Sequence, residues 1–232
     1  SSVFGLCVGM TAGVALGAGL MGIKPKAALD VFAPWGAALL ALVRFCEGFL
    51  GTLGYGVSLP DGSLFARFPF AVQNKYEEWY AAIFLLEGVL ALAAAVCLLL
   101  TRKSHPAGGR FEEGVVLLAL CQIFCESQRS QGMMWGFVHV EQLLCAVLVF
   151  LLIALSCLKT AGLPPLKRWL PCMAALGCIG LLVGAEFAKA KANSALLSDW
   201  GWLLTAAVLV LLYGVTRSAT RRRDASRTSA AA

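Results

Sequence analysis

The chain has 232 residues, of which 59% are hydrophobic and only 14% are charged. An average soluble domain carries about 25% charged residues, so this chain has too few to cover a soluble body of its size. Its net charge of +6 is scattered in short clusters between apolar runs, as in a multi-pass membrane protein. These features exclude an ordinary cytosolic enzyme, a disordered chain and a nucleic-acid-binding module.

A membrane-spanning helix needs about 20 apolar residues. Seven segments qualify: 3–23, 27–47, 80–100, 111–129, 138–158, 169–187 and 196–215. The predicted fold is therefore all-α, a polytopic bundle of about seven transmembrane helices. No positively charged stretch precedes the first run, so no segment reads as a cleavable signal peptide. In the first span Gly5, Gly9, Gly13 and Gly17 recur every four residues and share one face. Such a face lets a neighbouring helix backbone approach closely, and Gly180 and Gly184 repeat the device in the sixth span. The longest connection, 48–79, holds Gly51, Gly54 and Gly56, then Pro60-Asp61-Gly62, then Phe65, Arg67, Phe68, Pro69 and Phe70. It reads as an interfacial anchor with aromatics at headgroup depth, or as a lid over a lipid or peptide entry.

Orientation follows from Lys and Arg in the connections. Residues 217–232 form a basic tail with Arg217, Arg221, Arg222, Arg223 and Arg227. With that tail cytoplasmic, seven spans place the N-terminus outside. Lys24, Lys26, Arg102, Lys103, Arg110, Lys159, Lys167 and Arg168 then also fall inside, which puts thirteen of the nineteen Lys and Arg residues on that side.

The nine cysteines lie within or at the ends of apolar runs, no CxxC pair occurs, and the only histidines are His105 and His139. A structural zinc site or a disulfide framework is not expected, and no cofactor motif is present.

Charged groups in or near a bilayer are costly and so are candidates for function. On the predicted topology Arg44 and Glu47 lie at the outer end of the second span, Glu126 and Arg129 at the outer end of the fourth, and His139 and Glu141 at the outer start of the fifth. Glu87 sits apart, inside the third. Arg44 and Glu47 are three residues apart, as are Glu126 and Arg129, and each pair shares a helix face. One reading is two self-neutralising ion pairs, or arginines reaching to phosphates. The other is a headgroup site in which two guanidinium forks grip a phospholipid phosphate.

At these residues the chain resembles the prolipoprotein diacylglyceryl transferase family. Leu29-Asp30-Val31-Phe32-Ala33-Pro34, followed by Val43-Arg44-Phe45-Cys46-Glu47-Gly48-Phe49, resembles the family's Leu-Asp-x-x-Ala-Pro and Gly-Arg-x-Gly-Asn-Phe runs. Gln122-Ile123-Phe124-Cys125-Glu126-Ser127-Gln128-Arg129 resembles its Arg-Phe-x-x-Glu-x-x-Arg segment. Glu141-Gln142-Leu143-Leu144-Cys145 and Ser2-Val3-Phe4-Gly5-Leu6 resemble its Gly-Gln-Leu-Leu-Ser and Ser-Phe-His-Gly-Gly runs. The four motifs keep the family's order.

The resemblance implies a five-helix transferase-like core over 1–158, with 159–216 an added helix hairpin and 217–232 the basic cytoplasmic tail. It implies a protein of the bacterial cytoplasmic membrane that acts in lipoprotein biosynthesis without a cofactor. The reaction would move the diacylglyceryl group of phosphatidylglycerol to the lipobox cysteine thiol of a prolipoprotein. The partners would be that anionic phospholipid and the prolipoprotein signal peptide. Arg44, Glu126, Arg129, Gln122, Gln142 and, loosely, Gly54 or Gly56 would bind substrate. The chain departs from the family at three places. Phe4 stands for a histidine, Glu47 for an asparagine and Gln122 for an arginine. Either the chemistry is rebuilt, with Glu47 or His139 as base, or catalysis is lost and a lipid-binding relative remains. A small transporter or partner subunit is the alternative of another class.

Overall fold

The computed structural model describes residues 3–49, 54–60, 62–101, 107–130, 133–136, 138–160, 163–191 and 195–231. Ser2, Gly51, Asp61, Arg102, Lys103 and His105 lie outside these residues. Among the described residues seven helices follow one another: α1 (Val3–Leu20), α2 (Pro25–Glu47), α3 (Ile83–Leu100), α4 (Gly109–Glu126), α5 (Val140–Lys159), α6 (Pro165–Lys191) and α7 (Ala195–Ala231). Two short antiparallel ribbons complete the fold, β1 (Ala71–Gln73) with β2 (Trp79–Ala81), and β3 (Met134–Trp135) with β4 (Val138–His139). The all-α expectation holds at this level. Among the described residues five helices are long and apolar enough to cross a membrane: α2, α3, α5, α6 and α7. The apolar run Phe4–Leu20 is shorter. Helix α4 carries Arg110, Glu112, Glu113 and Glu126 and falls outside that set.

The helices bury small residues and turn large ones outward, which is the arrangement of helices packed in lipid. On α3 the buried stripe is Ile83, Glu87, Gly88, Ala91, Ala94, Ala95 and Leu98, while Val89, Leu92, Val96 and Leu99 are exposed. Helix α5 buries Cys145, Ala146, Val149, Ile153, Ser156 and Cys157, and exposes Leu144, Val147, Leu151 and Leu155. Both stripes recur at three- and four-residue steps, the period of one helix face.

The chain divides into two compact units, Ser1–Gly132 and Met133–Ala232. The division falls ahead of α5, and within the second unit α5 packs with α6 and α7. In the first unit α2 is central and packs on α1, α3 and α4, and α3 packs on α4. Pro25 opens α2, where its fixed φ suits the first helical turn. At the start of α4, Asp30 of α2 accepts the backbone N–H groups of Gly108 at 2.5 Å and of Phe111 at 2.9 Å. A carboxylate there satisfies N–H groups that a helix leaves open and opposes its positive end. Arg110 donates from Nε to the Leu98 carbonyl at 2.8 Å and from Nη1 to the Asp30 carbonyl at 3.4 Å. Asp30 and Arg110 thus tie three helix ends together.

In the second unit Arg168 closes α5 by donating to the carbonyls of Cys157, at 2.6 Å, and Leu158. The basic residues after 216 continue α7 as helix. There Arg222 donates to the Lys167 carbonyl at 3.0 Å, and the buried Arg223 pairs with Asp224 at 3.1 Å. Cys157 and Cys172 bring their sulfurs to 3.6 Å as free thiols.

The glycine seams do not pack as expected. A Cβ built on Gly9, Gly13 or Gly17 meets nothing within 4 Å, and the same holds for Gly180 and Gly184. Helix α1 instead turns its half-buried Phe4, Cys7, Met10, Thr11, Val14 and Ala15 inward, with Cys7 against Leu40, Ala41 and Ala91. These side chains bury apolar surface that glycine lacks, and they sit on the other face.

Candidate functional site

Helix periodicity alone carries three charged side chains into the core of the first unit. On α2 the buried positions Ala33, Ala37, Leu40 and Ala41 continue to Arg44. On α3 the stripe through Ile83 and Ala91 includes Glu87. On α4 the stripe through Ala119 and Gln122 ends at Glu126. Helices α2 and α3 approach closely because rings lie on glycines. A Cβ on Gly88 would stand 2.5 Å from the Phe45 ring, and one on Gly48 would stand 2.5 Å from the Phe84 ring.

The charges form one chain of contacts. Arg44 Nη1 donates to both oxygens of Glu47, at 2.6 and 2.5 Å. Arg44 Nε lies 2.8 Å from Glu87 Oε1. The other oxygen of Glu87 accepts from Arg129 Nη2 at 2.9 Å. Arg129 Nε lies 2.8 Å from Glu126 Oε1, which also accepts from Gln122 Nε2 at 2.9 Å. Arg44 and Glu87 are 1% and 2% exposed, against 16% for Glu47 and 17% for Arg129. The rim of the site is therefore Glu47 and Arg129, and its floor is Arg44 and Glu87.

Glu87 corrects the expectation that it stands apart, because it joins the two arginines into a single network. A lone carboxylate in an apolar 18-residue helix was the signal for it. Arg129 lies just beyond α4 rather than on it, yet it keeps its pairing with Glu126. Arg44 Nη2 is buried and makes no hydrogen bond among the described residues.

The connection 54–82 folds as a layer against this end of the unit. Gly56 donates to the Ala81 carbonyl at 2.7 Å and bridges to Arg129. Val57 donates to the Gln128 carbonyl at 2.8 Å. A Cβ on Gly56 would stand 2.3 Å from that carbonyl oxygen, and one on Gly54 would meet Phe84 Cβ at 3.0 Å. Both expected glycines thus serve close approach of the layer to the site. Tyr80 stacks on Tyr55, with ring centroids 6.0 Å apart, and donates to Glu78 Oε2 at 2.9 Å. That hydrogen bond, with the carboxylate's charge, raises the phenol above its usual value. Phe49 and Phe68 are exposed, and Phe65 meets Phe70 edge to face at 5.6 Å.

The remaining expected site residues, His139 and Gln142, belong to the second unit. His139 is the residue that precedes α5, and it is buried. Gln142 donates from Nε2 to Glu186 at 3.4 Å, joining α5 to α6. No group of three or more potential metal-ligating side chains occurs among the described residues.

Set against known protein families, curated proteins and solved structures, the chain matches none.

Proposed function

We propose that this is an integral membrane protein that binds the phosphate-bearing headgroup of an anionic phospholipid at Arg44 and Arg129. The observation that carries the reading is Arg44 Nη2, a guanidinium donor buried at a helix end without a hydrogen bond among the described residues. A buried unsatisfied donor is costly, and a phosphate oxygen is the ligand that a guanidinium fork matches best. On this reading all seven helices cross a bacterial cytoplasmic membrane, the N-terminus lies outside, and the site faces the outer leaflet.

The resemblance to diacylglyceryl transferases extends the proposal to a reaction with phosphatidylglycerol. A lipobox thiol gives up its proton to a base, for which Glu47 is the candidate beside Arg44. The thiolate sulfur bonds to the glyceryl carbon, the carbon–oxygen bond to phosphate breaks, and glycerol phosphate leaves with the electron pair. Arg44 and Arg129 stabilise the departing charge. Phe4 in the place of the family's histidine favours a second reading, in which the headgroup binds and no transfer follows.

Incubating the purified protein with phosphatidylglycerol and a lipobox peptide separates the two. The transferase reading expects a diacylglyceryl mass shift on the peptide cysteine that disappears in Arg44→Ala and Arg129→Ala. Arginine-dependent lipid binding without a shift supports the second reading. Neither binding nor a shift overturns the headgroup site.

A further inference from the structure

The second unit gathers its positive charge at one end. Within it α5, α6 and α7 alternate in direction, and three arginines tie the end of α5, the start of α6 and residues 221–224 of α7 together. Arg168 of α6 donates to the α5 carbonyls of Cys157, at 2.6 Å, and Leu158. Arg222 of α7 donates from Nη1 to the Lys167 carbonyl of α6 at 3.0 Å. Arg223 of α7 brings Nη1 to 3.4 Å from Ser156 Oγ of α5. Lys159, Lys167, Arg168, Arg221, Arg222 and Arg223 therefore share this end. The carboxylate among them is Asp224, which pairs with Arg223 at 3.1 Å. Glu141, Glu186 and Asp199 fall toward the opposite ends of the same helices.

These cations are not equally committed. Arg168 uses Nε and Nη2 on the α5 carbonyls, where its charge opposes the negative end of that helix. Arg223 is buried. Arg222 is exposed, and its Nε and Nη2 meet no partner among the described residues. Those two nitrogens form the edge by which a guanidinium takes a phosphate through two parallel hydrogen bonds. The Lys167 carbonyl already holds the group by Nη1, so little side-chain freedom is lost on binding.

The surroundings give the source of the phosphate. All three helices are long and apolar enough to cross a membrane. On α6 the exposed Leu166, Trp169, Leu170 and Met173 follow the basic end at three- and four-residue steps and so share one face. A tryptophan and leucines directly below arginines match the headgroup layer of a bilayer and the chains under it, and excess positive charge there draws anionic lipid. A nucleic acid or an acidic protein domain has no use for such a face. We infer that Arg222 is the centre of an anionic phospholipid site on the second unit. The phosphodiester lies on the Nε–Nη2 edge, Lys167 and Arg221 add positive charge, and the acyl chains run along α6 past Trp169, Leu170 and Met173. The site shares no residue with the one at Arg44 and goes beyond that reading.

Quenching of tryptophan fluorescence by lipids brominated on their acyl chains tests this on the full chain in phosphatidylcholine bilayers with a rising share of phosphatidylglycerol. The part of the quenching that disappears in Trp169→Phe reports the lipid at this site. Brominated phosphatidylglycerol is expected to be preferred there over brominated phosphatidylcholine. Arg222→Gln should lower the preference by more than about fivefold, the weight of one cation at a membrane surface. Arg221→Gln should lower it by about fivefold or less. Arg222→Lys keeps the charge and loses the two-nitrogen edge, so it should fall between wild type and Arg222→Gln. It decides the matter if the glutamine variant folds poorly, as judged by helical circular dichroism.

Equal quenching by the two lipids at Trp169 overturns the site. So does an Arg222→Lys protein that matches wild type, because diffuse charge would then account for the preference. An RNA oligonucleotide that binds through Arg222 and abolishes the preference would assign the surface to a soluble polyanion and overturn the lipid. Loss of headgroup binding at Arg44 leaves the Trp169 readout in place, so the two readings fail separately.

Discussion

Glu87 Oε1 lies 2.8 Å from Arg44 Nε across the α2–α3 interface, and both side chains are almost wholly buried. The contact joins helices separated by the whole 54–82 layer in sequence. It turns two local arginine–glutamate pairs into one network, so the site and the packing of three helices depend on the same atoms.

Removing the Glu87 charge should therefore cost stability as well as function. Breaking one partner of a buried ion pair costs about 3–5 kcal/mol. Glu87→Gln is expected to lose stability in that range, because one amide oxygen cannot serve both guanidiniums. Arg44→Gln should lose a similar amount. The double variant should lose clearly less than the two together, since each single change leaves the other group unpaired. Denaturant unfolding in mixed micelles measures all three, and additive losses would show that the pair is not coupled.

Replacing Arg44 by lysine keeps the charge and removes the fork. On the proposed transferase reading, with Arg44 meeting the phosphate through two nitrogens, Arg44→Lys should slow thioether formation about 10²–10³-fold, the usual loss for one oxyanion donor. A rate close to wild type would mean that Arg44 acts only as a point charge, or only on Glu47 and Glu87.

Asp30 yields a prediction far from the site. Its carboxylate meets the first N–H groups of α4 from a different helix. Asp30→Ala should lose about 1 kcal/mol, the typical value of a capping oxygen, and Asp30→Asn should recover part of it. Helical hydrogen exchange at the start of α4 should rise in the alanine variant alone. Unchanged exchange there would remove the capping role.

Two glycine substitutions should differ in sign. Gly56→Ala places a Cβ against the Gln128 backbone oxygen, which cannot retreat without moving the chain beside Arg129. A loss of about 1–3 kcal/mol is expected, as for other overpacked positions. Gly13→Ala meets nothing within 4 Å and should be neutral, or stabilise α1 by about 0.5–1 kcal/mol. Thermal melts of the two variants side by side check both. A destabilising Gly13→Ala would indicate that another helix covers that face in the native membrane.

Much of the fold was legible because its signals are local. A run of apolar residues bounded by Lys24 and Pro25, or by Thr101, reads as a helix from its own composition. The ends were less legible. His139 and Tyr80 sit in short ribbons rather than in helices, because pairing with Met134 and Val72 satisfies their backbones. The glycine repeats of α1 and α6 were visible, but the face that would pack was not. The i,i+3 pairs Arg44–Glu47 and Glu126–Arg129 could be read from spacing. The Arg129–Glu87 bond spans 42 residues and leaves no local mark beyond a carboxylate in an apolar helix.

Composition and spacing by themselves determined that the chain is a helical protein of membrane type, and that Arg44 with Glu47 and Glu126 with Arg129 share helix faces. Both follow from the cost of exposing apolar groups to water and from the fixed turn of the helix. Only the tertiary structure decided which charges meet. It placed Glu87 between the arginines, laid Glu47 over one edge of the Arg44 fork, left Nη2 without a hydrogen bond among the described residues, and drew α5 with His139 and Gln142 into the second unit. Ion pairs at 2.5–2.9 Å depend on how three helices are set against one another, and that is a property of packing between elements distant in sequence.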